Sequence, residues 1–201
     1  KETLASFFES TASLRAETRF APLLERVLCE TVKIGQAQAG LIYLRENDDD
    51  QVRPYGLVID GRPRDLAAFG LQGHALKAQD SPPWLQQLDA SDNLVTSLGF
   101  EQVGDLKSVL LALDAPRVHL IGIRLRNRHQ ETVGVLVLLI TDSGTEADLE
   151  KLQPDRIAFL QAVSGAATVS IEGQRLQARQ KQLLDSFIQL LAGAIDAKSP
   201  Y

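Results

Sequence analysis

A chain of 201 residues, 44% of them hydrophobic, can hold one ordinary domain plus an extension, or two small domains, around a real core. Its net charge of −5 argues against a general nucleic-acid or anionic-membrane binder. A single cysteine, Cys29, excludes an internal disulfide framework and favours a reducing, cytoplasmic compartment.

Residues 3–36 read as helix, in one piece or two. Phe20, Leu23, Leu24, Val27, Leu28, Thr31 and Ile34 recur at helical spacing, and Gly35 is the expected stop. Leu4, Phe7, Phe8, Ala12 and Leu14 form a second, less regular apolar stripe. Ala39 to Arg45 and Val52 to Asp60 read as two strands of a hairpin, with Asn47-Asp-Asp-Asp50 as its solvated turn. The three aspartates lack the glycine turn and terminal glutamate of a calcium loop. Residues 61–116 are irregular, with short helices expected around Pro83 to Leu88 and Asn93 to Leu98. Ser81-Pro82-Pro83 offers an N-cap and a helix-starting proline there.

Val118 to Arg126 alternates as a strand. Val118, Leu120 and Arg124 fall on one face, and His119, Ile121, Ile123 and Leu125 on the other. After a turn at 127–131, Thr132 to Thr141 is nearly all Val, Leu and Ile, which suits a central strand buried on both faces. From Pro154 to Ser199 the pattern is one long helix. Its first third, with Ile157, Leu160, Val163 and Ala167, is expected on the sheet. Residues 172–182 are almost wholly polar and suit no globular core. Yet Val169, Leu176, Leu183 and Leu190 recur every seven residues, with Phe187 and Ala194 each four residues after a leucine. That is a short coiled-coil seam, weakened by Gly173 and Gln180 at the opposing positions, and it implies a homodimer through this helix. A long exposed helix without a partner is the competing reading.

No apolar run approaches the roughly 20 residues of a membrane span, so no membrane contact is expected, and no secretory pattern opens the chain. The chain contains no methionine. Its start at Lys1-Glu2-Thr3 reads as a boundary inside a longer protein, with room upstream for a sensor or membrane segment.

The order helix, hairpin, irregular insert, hairpin, helix is an α+β pattern with an antiparallel sheet. It resembles the GAF family of small-molecule sensors. Ala39-Gly-Leu-Ile-Tyr-Leu44 matches that family's first strand. Val133-Gly-Val-Leu-Val-Leu138 matches its "hydrophobic-G-hydrophobic-L-x-L" element, while Ile123-Arg124-Leu125 stands where the family often has Pro-Leu. The resemblance covers 18–171. A second, shorter resemblance lies at Ala194-Ile-Asp-Ala-Lys-Ser-Pro-Tyr201, which is similar to the opening helix of HD-GYP phosphohydrolase domains. The implied organisation is a helical extension at 1–17, a GAF-like sensor at 18–171, a connecting coiled-coil helix at 172–190 and the start of an HD-GYP-like domain at 191–201. The resemblance implies a sensor that controls a metal-dependent cyclic di-GMP phosphodiesterase. The divalent metals and every catalytic residue belong to the part after Tyr201, so this chain is expected to hold no cofactor and no catalytic group. A dimerisation module without a ligand is the alternative.

GAF pockets lie between the sheet and the insert, which makes Tyr55, Trp84, His119 and Arg124 the candidate contacts for an unidentified small molecule. Each has a plainer reading: Trp84 as the core anchor of an insert helix, His119 and Arg124 as satisfied or surface groups. His74, His119 and His129 lack metal-ligand spacing, and Cys29 reads as a buried, unreactive thiol. The insert has no cysteine for a bilin, and the Asn-Lys-Phe-Asp-Glu signature of cyclic-nucleotide-binding members is absent.

Overall fold

The computed structural model describes residues 21–45, 51–77 and 81–198. The expected N-terminal extension, Phe20, the Asp48–Asp50 turn and the last three residues lie outside them. Helix α1 covers residues 21–35. Strands β1 (Ala39–Arg45), β2 (Val52–Ile59) and β3 (Arg62–Arg64) follow. Helix α2 (Pro83–Asp89), strand β4 (Asn93–Gly99) and helix α3 (Lys107–Ala112) make up the insert. Strands β5 (Arg117–Arg126) and β6 (Thr132–Thr141), then helices α4 (Glu146–Lys151) and α5 (Pro154–Lys198), complete the order.

The six strands form one antiparallel sheet in the order β3-β2-β1-β6-β5-β4. The apolar run in β6 takes the central place expected of it, and Val133 to Ile140 are all buried. Its two faces feed two cores. Val135, Val137 and Leu139 point to the insert side with Val118 and Leu120. Leu136, Leu138 and Ile140 point to the side of α1 and α5 with Ile121, Ile123 and Leu125. The predicted alternation in β5 is therefore the observed one.

Two local expectations fail. Asn93 to Leu98 is strand, not helix: β4 pairs antiparallel with β5 from Asn93↔Ile123 to Gly99↔Arg117. Ladder bonds to a buried neighbour outweigh the helical spacing of Leu94 and Leu98, which, four residues apart, share one pleated face and pack on the insert-side core. Ser81 does not cap α2. Pro82 is the N-cap, and Ser81 instead accepts at its carbonyl from Gln86 Nε2 at 2.9 Å. Helix α1 ends at Gly35 as expected, and the left-handed residue that follows is Gln36, with φ 51°; Ala37 N–H donates to the Val32 carbonyl at 3.0 Å. Gly35 also makes room for its neighbours: a Cβ there would stand 2.7 Å from Leu138 Cδ1 and 3.7 Å from Leu160 Cδ2.

Helices α1 and α5 cover the same face of the sheet. Val32 sits over Gly40, and Leu28 reaches both Gly40 and Gly56, which pairs with Ile42 further along β1. Helix α1 thus starts near the Arg45 end of β1 and finishes near the Ala39 end. Helix α5 enters at that finishing end, after β6 and α4, and brings Leu160 against Gly35. It then descends, burying Ile157, Leu160, Ser164, Ala167, Thr168 and Ile171. One helix crosses the expected boundaries at 171/172 and 190/191 without a break.

Candidate functional site

The insert side of the sheet is filled with protein. Trp84 is 1% exposed and packs with Leu88, Leu106, Val109 and Leu110 over Tyr43 and Leu71. Helix α2 lies so close to the sheet that a Cβ on Gly122 would be 3.1 Å from Leu88 Cδ2. The rings of Tyr43 and Trp84 are 6.3 Å apart and tilted by 56°. Burial, and then the charge of Asp105, push the Tyr43 hydroxyl pKa up, so it stays a neutral phenol. The Trp84 Nε1 proton has no hydrogen-bond partner in this packing.

The four candidate contacts do not converge on one cavity. Trp84 anchors α2 in the core. Tyr55 packs on the opposite side of the sheet and lines an open groove of about 220 Å³ with Glu25, Arg64 and Asp65. His119 Nε2 stands 3.4 Å from Asp142 Oδ1. Arg124 donates from Nη2 to the Asp89 carbonyl and lies 3.8 Å from its carboxylate, which ties β5 to the end of α2. Cys29 is half-buried on α1. Burial first, then Glu25 and Glu30, raise its pKa, which disfavours a reactive thiolate. Among the described residues no group of three or more His, Cys, Asp and Glu side chains is placed to hold a metal ion. No described helix is long and apolar enough to cross a membrane.

The polar group with the strongest local purpose is Asp148. It is 4% exposed. Its Oδ2 accepts from the Ser143 hydroxyl at 2.5 Å and the Ser143 N–H at 2.9 Å, and Oδ1 lies 3.4 Å from Lys151 Nζ. The two Ser143 bonds, with a smaller part from Lys151, hold its pKa at about 2 against an ordinary 3.8. This closes the loop between β6 and α4 and so fixes where α5 enters the sheet.

The unusual surface is α5 itself. Every residue from 181 to 198 is exposed. Leu183 is 71% exposed and Leu190 73%, and Val169, Leu176 and Phe187 are each more than half exposed. At about 100° per residue, this stripe runs down the side of α5 roughly opposite the face packed on the sheet. The five seam residues read from the sequence therefore share one outward face. The sequence reading missed a second set. Leu184, Ile188, Leu191 and Ile195 are also exposed and repeat the same four-three spacing one residue later. Their signal was present in the sequence but lay hidden beside the first.

No family model and no curated relative matches the sequence. Solved structures do. The chain is similar to a GAF domain/HD domain protein from Geobacter sulfurreducens, with 13% identity, a TM-score of 0.53, and 78% of this chain and 95% of that one covered. It is similar to the second GAF domain of DevS from Mycobacterium smegmatis, with 16% identity, a TM-score of 0.53, and coverages of 80% and 98%. The PixJ GAF domain of Thermosynechococcus elongatus, in its blue-light absorbing form, gives 11% identity, a TM-score of 0.53, and coverages of 85% and 94%. The fold is thus α+β of the GAF type, extended by a long C-terminal helix.

Proposed function

We propose that this chain is the regulatory part of a signalling protein, a GAF-type sensor domain that pairs with a second copy through α5 and passes its state along that helix. The observation that carries the reading is the bare stripe Val169, Leu176, Leu183, Phe187 and Leu190 on a helix whose first third is locked to the sheet. A monomer has no use for five large apolar side chains in water on one seam. Fully buried, each contributes about 1.5–3 kcal/mol, against an association cost of about 4–15 kcal/mol. With Gly173 and Gln180 interrupting the seam, the balance favours a reversible dimer over a permanent one. A weak seam is what a switch needs, because two packings then differ by little.

The effector in this reading is an HD-GYP phosphohydrolase that cleaves cyclic di-GMP with divalent metals. Its support is the match of Ala194 to Tyr201 to that family's opening helix, together with a fold neighbour described as a GAF domain/HD domain protein. Cyclic-dinucleotide hydrolysis would belong to residues after Tyr201. Those residues are expected to carry a His-Asp pair and a Gly-Tyr-Pro triplet, and sequencing past Tyr201 without finding them removes the enzymatic half of the proposal. A cytoplasmic setting fits the lone cysteine and the acidic surface.

Sedimentation equilibrium tests the pairing. The chain should form dimers that the Leu183→Ala/Phe187→Ala variant weakens at least tenfold. A wild-type chain that stays monomeric at high micromolar concentration overturns it. The filled insert side supports the second form of the reading, a pairing module that binds no small molecule. Thermal-shift screening with nucleotides and metabolites separates the two forms. A concentration-dependent rise in melting temperature with one compound favours the sensor.

A further inference from the structure

We infer that the free edge of β4 pairs with the same edge of a second copy, antiparallel about a two-fold axis at Thr96, and so joins two sheets into one. The two edges of the sheet are built differently. Strand β3 closes one edge with only Arg62-Pro63-Arg64, and proline and charge are what keep an edge from pairing. Strand β4 closes the other with Asn93-Leu-Val-Thr-Ser-Leu-Gly99, which contains neither a proline nor a charge. Val95 is 40% exposed there, and Ser97 is exposed as well.

The hydrogen-bond phase says which groups face out. Strands β4 and β5 pair with Thr96 opposite Leu120. At the two ends of β4, Arg124 N–H donates to the Asp92 carbonyl at 3.0 Å and Phe100 N–H to the Pro116 carbonyl at 3.2 Å. Bonded pairs alternate along an antiparallel ladder, so Leu94, Thr96 and Leu98 also turn their N–H and C=O toward β5. Asn93, Val95, Ser97 and Gly99 turn theirs outward. Two of these outward groups are already taken. The Gly99 N–H donates to Gln102 Oε1 at 2.9 Å, and the Asn93 carbonyl accepts from the Ser91 hydroxyl at 2.8 Å.

The two taken groups decide the partner and the register. With Thr96 opposite Thr96 of the second copy, Val95 faces Ser97, and each gives the other an N–H and a C=O. Asn93 then faces Gly99. The bare Asn93 N–H meets the bare Gly99 carbonyl, and the two taken groups fall opposite each other. Setting Val95 opposite itself instead puts the Gly99 carbonyl against Ser91, whose N–H is bound to the Leu88 carbonyl. Setting Ser97 opposite itself puts the Val95 carbonyl against the Gly99 N–H that Gln102 holds. An unrelated extended peptide would bring groups of its own to the taken ones, whereas a second copy brings its own taken pair. This contact goes beyond the pairing through α5 and uses none of its seam. A single strand pair is small for a stable interface, so it is the weaker of the two.

Disulfide trapping tests the register. The full chain is made with Cys29→Ala and Leu183→Ala/Phe187→Ala, and with one further substitution, Val95→Cys, Thr96→Cys or Ser97→Cys. Across the axis Thr96 meets itself in a non-hydrogen-bonded pair, with Cα atoms about 4.5 Å apart, which a disulfide spans. After mild oxidation at high micromolar concentration, Thr96→Cys should give at least fivefold more linked dimer than Val95→Cys or Ser97→Cys. Equal linkage at the three positions, more linkage at 95 or 97, or no linkage overturns the inference. Where a cysteine variant fails to fold by circular dichroism, Thr96→Lys in the Leu183→Ala/Phe187→Ala chain replaces it, since like charges then face each other across the axis. Sedimentation equilibrium should show its association at least fivefold weaker than that of the Leu183→Ala/Phe187→Ala chain, and equal association overturns the inference. Linkage through Thr96→Cys in a chain whose association Leu183→Ala/Phe187→Ala does not weaken supports the edge contact and marks the α5 pairing as the part that fails.

Discussion

Residues 157–171 and 172–198 belong to one helix with one backbone geometry, yet they live in opposite surroundings. The first stretch puts Ile157, Leu160 and Ile171 into the sheet-side core. The second puts leucines, isoleucines and a phenylalanine of equal size into water. Helical spacing alone does not tell the two apart. What differs is the phase of the apolar stripe, which swings from the sheet-facing side to the outer side within two turns, and the polar residues that fill the opposite face after 171. The same residue type is therefore buried in the core in one half and bare in the other.

That contrast can be broken most strongly at Leu160. Leu160→Ala should cost about 2–5 kcal/mol of domain stability in urea unfolding, because the site is closely packed between α1 and β6. Leu183→Ala, the same chemical change 23 residues later, should leave unfolding of the dilute chain within about 0.5 kcal/mol of the parent. A large loss at Leu183 would mean that its seam is covered within one chain.

A smaller effect is expected where α5 is aimed. Asp148→Asn should lose about 1–2 kcal/mol, since the Ser143 donors then face a neutral acceptor. The linkage has a definite sign. The folded pKa lies below the ordinary value, so this stabilisation is fully present above about pH 3.8 and is lost as pH falls toward about 2. Acid titration of the parent and the Asn variant should converge in that window, and parallel curves would remove Asp148 as the cause. Smallest of all, Gly173→Ala adds a methyl group to open space on the bare helix. It should raise helix stability by about 0.5–1 kcal/mol, visible as slower amide exchange around residue 173 with no change in the urea midpoint.

Much of the architecture was legible from pattern. The alternation in β5 and the unbroken apolar run of β6 each state a geometry that the fold adopts, and Val169, Leu176, Leu183 and Leu190 lie exposed along one helix. The insert was not legible, for reasons that differ by element. Strand β4 offers seven residues whose Leu94 and Leu98 fit a helix turn as well as a pleat, and only pairing with β5 decides between them. Strand β3 follows the two-residue turn Asp60-Gly61, with φ 51° and 72°, inside the stretch read as irregular, and three residues are too few to show a period. Helix α3 buries only Val109 and Leu110, too little for a stripe. The candidate ligand residues were the least legible, because a lone Trp, His or Arg has no period at all. Trp84 and Arg124 acquire their places from α2, whose position no local pattern encodes.

One continuous helix that is clamped at one end and bare at the other is a lever. The clamp runs from Ile157 to Ile171, and the free arm from 172 to Lys198 extends about 40 Å. A tilt of about 5° where α5 rests on β5 and β6 would move the far tip by about 3–4 Å over that length. Repacking too slight to open a cavity beneath Trp84 is thus large enough to shift the far tip of α5 by about two residue rises.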